Sequence, residues 1–350
     1  MNWLEAVKEI QPLNKDYKVI AQERLDQLTK PQGSLGRLED LAIQLVSIYK
    51  TIDFSVDPIT NFVFVGDHGI TEEGVSAFPS EVTSQMVYNF LQGGAAISVL
   101  SRNNKVGLKV VDVGMKATID NQNLIQKKIR EGTRNFLKEK AMTKEEVTAA
   151  VQVGFELGVE EVKQRTKMLS IGEMGIGNTT PSTAIAAYLL NIPLEIMVGR
   201  GTGLNEDQLR HKKEVIQKAF DFHNLQTKDP IETLSTFGGF EIAAMTGVIL
   251  AAGYKQVPVI IDGIIAGAAA LIAYHINPVT TSYMIASHQS EEPAHQFILQ
   301  ALNLSPLLQL SMRLGEGTGA VLSVPLIRSS KHLVQEMATF AEANVSEKNS

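Results

Sequence analysis

Residues 172–180, with the sequence GEMGIGNTT, join three glycines and two threonines to the end of a predicted strand. The apolar run 168–171 ahead of them predicts that strand, and we expect a helix to begin at Thr179 or Thr180. A glycine loop between a strand and a helix N-terminus presents backbone N–H groups to an anion, which the helix dipole also favours. The pattern predicts a phosphate site, although an ordinary glycine-rich turn would explain the spacing equally well.

Two residues of this loop favour the site over the plain turn. Glu173 places an acid, and Met174 a soft apolar group, beside the predicted anion. Isolated acids recur elsewhere: Asp262 lies between the apolar run 257–261 and Gly263, and Glu316 lies between two glycines in the segment 314–320. Acids at strand ends in an α/β sheet can handle protons or bind hydroxyls.

Histidines offer weaker signals. Asp67 and His68 follow a core strand and could serve as a metal or acid–base pair, but no second ligand stands at a suitable spacing. We therefore favour a hydrogen-bonded structural pair. His288 and His295 are seven residues apart, which is a poor metal spacing, so we expect them to be structural residues or subunit contacts.

Two further segments could contact a ligand. The loop 72–80 could wall a flat molecule, or it could be a plain helix entry with Ser80 as N-cap. The charged helix predicted at 205–223 contains Lys212 and Lys213. One of these lysines could reach an anion, whereas a solvated face is the ordinary interpretation of such a run.

Alternating apolar runs and amphipathic stretches indicate an α/β fold with a mainly parallel, Rossmann-like sheet flanked by helices. Strands are expected to end at residues 66, 114, 172, 199, 262 and 287, which would bring the polar segments to one rim. Thr143 with Glu146 forms a capping box that predicts a helix reaching about Arg165. The polar stretch 116–142 is predicted to be a surface excursion.

Composition narrows the class of protein. A chain of 350 residues exceeds the usual size of one core, so we expect a large and a smaller domain. A net charge of −6 argues against a general nucleic-acid binder, and the lack of cysteine excludes disulfides and cysteine-ligated metals. The N-terminus has no signal-peptide pattern, and the apolar stretch 257–273 carries Asp262. We expect a cytoplasmic protein that binds no membrane.

The motifs that the chain lacks limit the kinds of ligand that it can be expected to bind. The chain has no G-x-x-x-x-G-K-[ST] loop and no G-x-G-x-x-G after its first strand, which disfavours P-loop NTPases and dinucleotide dehydrogenases. The adjacent acids and Thr-Thr loop typical of magnesium-dependent diphosphate-sugar transferases are also missing. The residues thus predict an α/β enzyme that acts on a small phosphorylated molecule without a metal or cofactor.

At its motifs the chain resembles the nicotinate-nucleotide:dimethylbenzimidazole phosphoribosyltransferase family. The matching segments span nearly the whole chain in order, and the excursion at 116–142 contributes little. Phe78 stands where we would also expect Tyr. These segments are KPQGSLGRLE (30–39), GDHGITEEGVSAFPSEVTSQMV (66–87), GEMGIGNTTPSTAI (172–185), VGRGTGL (198–204), GGFEIAAMTG (238–247), IIDGIIAGAAAL (260–271), SHQSEEPAH (287–295) and RLGEGTGA (313–320).

The resemblance implies a reaction. Nicotinate mononucleotide would donate its phosphoribosyl group to 5,6-dimethylbenzimidazole with inversion at the anomeric carbon, giving α-ribazole 5′-phosphate and nicotinate. Glu316 would be the general base that removes the benzimidazole N–H proton, with Glu173 as a supporting acid. If Glu316 were only structural, it would be a capping acid at a helix start.

The resemblance also implies which residues surround the substrates. Met174, Pro79, Ser80, Gln85 and Leu314 would wall the benzimidazole. The ribose or nicotinate would lie near Asp262, Gly263 and Ser290, and Lys213 would assist with an anion. The 5′-phosphate would be held by Gly175, Ile176, Gly177, Asn178, Thr179, Thr180, Gly201, Thr202 and Gly203.

The family's architecture implies a homodimer. Each chain would have a small, mostly helical domain from residues 1–60 and 320–350 and a large α/β domain over residues 61–319. Two alternatives stay open: a nicotinate-nucleotide hydrolase or another base-exchange transferase on the same scaffold, and a non-enzymatic nucleotide sensor. The sequence does not specify the preferred benzimidazole, phenol or purine, because that choice depends on pocket shape.

Overall fold

A six-stranded parallel sheet forms the centre of the protein in a computed structural model that describes residues 1–201 and 203–346. The order of the strands across the sheet is β3-β2-β1-β4-β5-β6, and every neighbouring pair is parallel. The predicted α/β fold with a parallel sheet is confirmed. The strands are β1 (Ile59–Gly66), β2 (Gly107–Gly114), β3 (Leu124–Gln126), β4 (Met168–Met174), β5 (Val259–Ile261) and β6 (Met284–Ala286).

Helices cover both faces of the sheet, as the continuous apolar character of the strands requires. They are α1 (Trp3–Ala6), α2 (Lys15–Asp26), α3 (Arg37–Tyr49), α4 (Val82–Gln92), α5 (Ala96–Asn103), α6 (Lys144–Lys163), α7 (Thr179–Leu190), α8 (Leu194–Met197), α9 (Glu206–His223), α10 (Pro230–Phe237), α11 (Phe240–Lys255), α12 (Ile264–Ile276), α13 (Pro293–Ala301), α14 (Thr318–Glu336) and α15 (Phe340–Ala343). The predicted capping box at Thr143 begins α6.

The central strand β1 shows how the two faces are built. All eight of its residues are buried, because alternate side chains point to opposite faces and both faces are covered. Phe62 and Phe64 belong to the hydrophobic cluster that contains α6, α11 and α12. Val63 and Val65 belong to the opposite cluster, which contains α2, α3 and α14.

On the first face, α6 and α11 approach each other at backbone distance. A Cβ atom added to Gly154 would lie 1.7 Å from the carbonyl oxygen of Ala244, and one on Gly247 would lie 2.0 Å from that of Val151. Only glycine fits at such crossings. This contact fixes the position of α11 against the sheet. The carboxylate of Glu241, in the first turn of α11, lies beside Gly66 at the end of β1.

The helices from the chain ends cover the second face. Leu25 of α2, Leu41 of α3 and Val324 of α14 share one hydrophobic cluster with Val63 and Val65 of β1. Trp3 at the start of the chain packs into the cluster on the other face. The division into a small domain (1–60 and 320–350) and a large domain (61–319) stays a prediction.

Three predicted elements differ in the structure. The run 192–198, predicted to be a strand, contains the short helix α8 behind Pro193, and β4 pairs directly with β5. A short apolar run cannot be distinguished from a buried helix by periodicity alone. The stretch 116–142 is more than a surface excursion, because it supplies β3 and buries Phe136 and Met142. The strand expected to end at residue 287 is only three residues long, Met284–Ala286, and follows a 3₁₀ helix.

The order of the strands fixes where a ligand can bind. Chain order runs outward from β1 to β3 on one side and from β4 to β6 on the other, so the topology reverses between β1 and β4. Ligands of open α/β sheets bind outside the carboxyl ends of the strands at this reversal. None of the helices described here is long and apolar enough to span a membrane.

The packing of α6 on α11 yields a stability prediction. We expect Gly154→Ala to lower the free energy of unfolding by about 3 kcal/mol, because the new methyl group must displace the α11 backbone. Gly158→Ala is the graded control, since the nearest neighbour of its Cβ would be the Ala251 side chain at 2.8 Å, and the nearest backbone atom would be the Val248 Cα at 3.6 Å. Urea denaturation measures both values, and equal stability of the two variants would contradict this account of the contact.

Candidate active site

A cavity of about 320 Å³ opens at the carboxyl ends of β4, β5 and β6. Its size is at the lower end of the range for small-molecule sites, about 300–1,000 Å³. The segments after β4, before α14 and around residue 290 meet here although they are far apart in sequence. The cavity is lined by these residues that the sequence pointed to: Glu173, Met174, Gly175, Ile176, Gly177, Asn178, Thr179, Gly201, Asp262, Gly263, Ser290, Leu314 and Glu316.

Other predicted residues do not line the cavity: Pro79, Ser80, Gln85, Thr180, Gly203 and Lys213. Thr202 lies outside the described residues. Helical geometry explains two of these differences. Gln85 is exposed because α4 turns Val82 and Met86, four residues apart, toward the cavity. Lys213 points away from the cavity and donates to the carbonyl of Glu195, whereas its neighbour Lys212 is fully buried.

The N-terminus of α7 forms one end of the cavity. Its N-cap is Asn178, so the predicted start at Thr179 is confirmed, but no threonine caps the helix. The Lys212 ammonium donates a hydrogen bond of 2.8 Å to the Thr179 hydroxyl. Burial lowers the pKa of Lys212 to about 8, and the charge of Glu292 opposes this shift. A buried ammonium beside a helix N-terminus is suited to bind a phosphate.

Glu173 is the last but one residue of β4 and is 6% exposed. It accepts hydrogen bonds from the Asn178 side chain and from the backbone N–H of Glu316, the latter at 3.4 Å. Burial raises the pKa of Glu173 to about 8, and the charges of Asp262 and Glu241 contribute. The carboxyl group is therefore mostly neutral at pH 7.

Glu316 lies in a tight turn between Gly315 and Gly317. All three residues have positive φ, with +63° at Glu316 itself, a conformation that non-glycine residues rarely adopt. Its carboxylate lines the cavity and accepts a 3.2 Å hydrogen bond from the backbone N–H of Ile97, near the N-terminus of α5. Burial raises the pKa of Glu316, while the Ile97 hydrogen bond opposes the shift. Such strain is maintained mainly at functional sites.

Asp262 anchors this turn from the end of β5. Its two carboxylate oxygens accept the N–H groups of Gly317 at 3.1 Å and Ala320 at 3.0 Å, so Asp262 caps α14. Burial raises the pKa of Asp262, and the nearby His288 and these N–H donors oppose the shift. The acid that caps α14 is thus Asp262, and the Glu316 carboxylate contacts α5 instead.

The two late histidines are buried structural residues of this region. His288 lines the cavity, and its Nδ1 lies 3.8 Å from Asp262. His295 accepts the N–H of Ser290 on its Nδ1 at 2.9 Å, and burial lowers its pKa to about 3. His295 is therefore neutral and fixes the turn at Ser290. Asp67 and His68, expected to form a hydrogen-bonded pair, have different partners. The His68 side chain shares a 2.8 Å hydrogen bond with Glu241, and the Asp67 carboxylate accepts the N–H of Lys116.

An apolar wall faces the acids. The sequence motifs pointed to the segment before and within α4, although Pro79, Ser80 and Gln85 do not line the cavity and stay predictions. Spacing of i and i+4 in the helix would have selected Val82 and Met86. The wall consists of Val75, Phe78, Val82, Met86, Met174, Ile176 and Leu314. The cavity also contains the polar residues Arg200, Glu292 and Arg313, which the sequence analysis missed, and His288, which it expected to be structural or a subunit contact.

Comparison with known proteins gives consistent matches over the full chain. A family model described as phosphoribosyltransferase matches residues 10–345. Proteins named nicotinate-nucleotide–dimethylbenzimidazole phosphoribosyltransferase are similar in sequence. The one from Desulforamulus reducens is 45% identical, covering 98% of each chain, and the one from Halalkalibacterium halodurans is 44% identical, covering 98% of this chain and 96% of that protein.

Solved structures agree with these sequence matches. A crystal structure described as nicotinate-nucleotide-dimethylbenzimidazole phosphoribosyltransferase from Thermus thermophilus superposes with a TM-score of 0.91 at 38% identity, over 96% of this chain and 100% of that one. A second structure, described as CobT from the same organism, has a TM-score of 0.92 at 40% identity and covers 95% and 100% of the two chains. The sheet and its flanking helices are therefore those of these proteins.

Because Glu173 is a buried acid, the free energy of unfolding is expected to depend on pH. In the unfolded chain its carboxyl ionises above the ordinary value of 4.5, whereas the folded protein keeps the proton up to about 8. The folded state binds more protons between these values, so stability falls as pH rises through this window. We expect Glu173→Gln to remove this fall, so that the variant gains on the order of 2 kcal/mol relative to wild type between pH 5 and pH 8.

Urea denaturation at several pH values measures the effect. Glu214→Gln, on the exposed face of α9, is the matched control and should follow the wild-type curve at each pH. Parallel curves for wild type and Glu173→Gln from pH 5 to pH 8 would mean that Glu173 is ionised in the folded protein.

Proposed function

We propose the function of this chain from one premise: it belongs to the nicotinate-nucleotide–dimethylbenzimidazole phosphoribosyltransferase family. The chain transfers the phosphoribosyl group of nicotinate mononucleotide to 5,6-dimethylbenzimidazole. The products are α-ribazole 5′-phosphate and nicotinate, and the reaction contributes to the lower ligand of cobalamin. The relatives' names support this assignment, and the geometry of the cavity supports a mechanism for it.

One observation carries the proposal. A single cavity has an anion-binding end, at the N-terminus of α7 where the buried Lys212 bonds to Thr179, and a buried acid, Glu316, together with an apolar wall. A phosphorylated sugar needs the first feature, and a flat heterocycle that must lose a proton needs the other two. The donor's 5′-phosphate binds at α7 and Lys212, and the benzimidazole lies against the wall formed by Phe78, Met86 and Leu314.

Glu316 acts as the general base. One ring nitrogen of the benzimidazole bonds to the anomeric carbon while the bond from that carbon to the nicotinate nitrogen breaks, and its electron pair leaves with nicotinate. The proton on the other ring nitrogen passes to Glu316, so that the product carries no charge on its base. The raised pKa of Glu316 makes it a stronger base than an ordinary glutamate.

Glu173 assists by staying neutral. Its Oε1 accepts the backbone N–H of Glu316 at 3.4 Å, so Glu173 contacts the turn that carries the base. In the neutral form it maintains the turn at Glu316 through hydrogen bonds alone. We also propose that the protein acts in the cytoplasm as a homodimer, which analytical ultracentrifugation would test.

Replacing the general base gives the sharpest test of the mechanism. We expect Glu316→Gln to lower kcat by about 10²- to 10⁴-fold, because a general base contributes this much to proton transfer. The fold should persist, since the glutamine oxygen can still accept the N–H of Ile97. Turnover is measured by chromatography of α-ribazole 5′-phosphate, and near-normal kcat would remove Glu316 from this role.

The same assay separates the proposed transfer from hydrolysis. Nicotinate release should depend on added 5,6-dimethylbenzimidazole, and no free ribose 5-phosphate should accumulate. Release of nicotinate at the same rate without the base would identify a hydrolase. Tight binding of nicotinate mononucleotide with no turnover under any condition would identify a nucleotide sensor.

Two adjacent lysines provide a matched test of the phosphate end. We expect Lys212→Met to raise the Kd of nicotinate mononucleotide by about 10- to 100-fold, because a buried charge-assisted contact is lost. Lys213→Met, which replaces the lysine that donates to the carbonyl of Glu195, should change it by less than about twofold. Calorimetry measures both. With wild type, binding should also weaken as pH rises through about 8, where Lys212 loses its proton.

A further inference from the structure

Glu292 is a buried acid of the cavity to which the reaction above gives no task. It is the N-cap residue of α13, is 4% exposed and lines the cavity. Its Oε1 accepts a 2.7 Å hydrogen bond from the backbone N–H of Gly201. Its Oε2 is also buried, and within residues 1–201 and 203–346 no group donates a hydrogen bond to it. A buried carboxylate oxygen without a donor is costly, which indicates that a ligand supplies one.

The position of Glu292 places it between the two ends of the cavity. On one side Gly201 adjoins the phosphate end, because a Cβ on Gly201 would lie 3.0 Å from the Thr179 hydroxyl. On the other side the Ser290 hydroxyl accepts the N–H of Glu292 at 3.3 Å, and Ser290 borders Gly263 at the end of β5. Glu292 therefore adjoins both the proposed phosphate end and the end of β5, where a sugar attached to that phosphate would lie.

The chemistry of the phosphoribosyl donor indicates which of its groups would contact Oε2 of Glu292. The phosphate and the nicotinate carboxylate are negatively charged acceptors, and both would be repelled by Glu292. Among the described residues, the Lys212 ammonium donates its hydrogen bond to the Thr179 hydroxyl and not to Oε2 of Glu292. The ribose hydroxyls are the uncharged donors of the molecule, and acids in nucleotide-binding folds commonly accept hydrogen bonds from them.

We propose that Glu292 binds the ribose of the phosphoribosyl donor by accepting a hydrogen bond from one of its two ring hydroxyls. This inference rests on the proposed function for the identity of the donor. It makes Glu292 a determinant of sugar specificity, while its contact to Gly201 couples the sugar to the phosphate end. Deoxyribose donors would leave Oε2 buried without a partner and are therefore disfavoured.

The test compares two proteins on three donors. Wild type and Glu292→Gln are assayed with nicotinate mononucleotide and with its 2′-deoxy and 3′-deoxy analogues, using Kd from calorimetry and kcat/KM. Glutamine keeps one side-chain oxygen that can accept the N–H of Gly201, and it replaces Oε2 with an NH₂ group. With nicotinate mononucleotide we expect Glu292→Gln to lose about 30-fold in both constants, as for a hydrogen bond to a charged group. Wild type should lose a similar factor on one deoxy donor.

On that same deoxy donor, wild type and Glu292→Gln should agree within about threefold, because the interaction is missing in both. An equal loss on all three donors would overturn the proposal and leave Glu292 as a support for Gly201 alone. Glu291→Gln, the exposed neighbour, is the matched control and should behave as wild type. If Glu292→Gln fails to fold, equal binding of all three donors by wild type would overturn the proposal.

Failure of the proposed function gives a different pattern. A wild-type protein that binds nicotinate mononucleotide but transfers nothing to 5,6-dimethylbenzimidazole would refute the transferase reaction. The calorimetric comparison of the three donors would still decide the role of Glu292.

Discussion

The close approach of β4 to the turn at Glu316 is the contact on which the site depends. A Cβ on Gly172 would lie 2.3 Å from the carbonyl oxygen of Glu316, so the strand accepts the turn only because residue 172 has no side chain. Asp262 at the end of β5 holds the same turn through the N–H groups of Gly317 and Ala320. Two adjacent strands thus fix Glu316, the acid proposed as general base, and the rigidity of the sheet is passed directly to its carboxyl group.

The same sheet explains what the sequence could predict. The parallel α/β fold follows from strands that are apolar throughout, and the helix at Thr179 follows from the glycine loop before it. Glycine-flanked acids at strand ends correctly indicated the rim, because the carboxyl ends of parallel strands share one edge. The motifs that matched a known family covered nearly the whole chain and so pointed to the reaction as well.

Two of the predicted residues that do not line the cavity share a physical cause. Gln85 and Lys213 lie one position away from Met86 and Lys212 in helices, and a step of one residue turns a side chain by about 100°. A sequence motif identifies the helix, but it does not show which of the helix's side chains face the cavity. Glu292 was missed because its significance depends on a contact with Gly201, 91 residues away in sequence, which only the folded chain contains. The short helix α8 was missed because burial makes strands and helices equally apolar.

The two acids of the site differ because their donors differ. Both are buried, which alone would keep both protonated. Glu316 accepts the N–H of Ile97 at the start of α5, where the helix dipole stabilises negative charge. Asp262 opposes the ionisation of both acids, and Glu173 faces the charge of Glu241 as well. At neutral pH Glu173 therefore keeps its proton, and Glu316, the acid proposed to accept one, is held by a helix N-terminus and supported by a neutral neighbour.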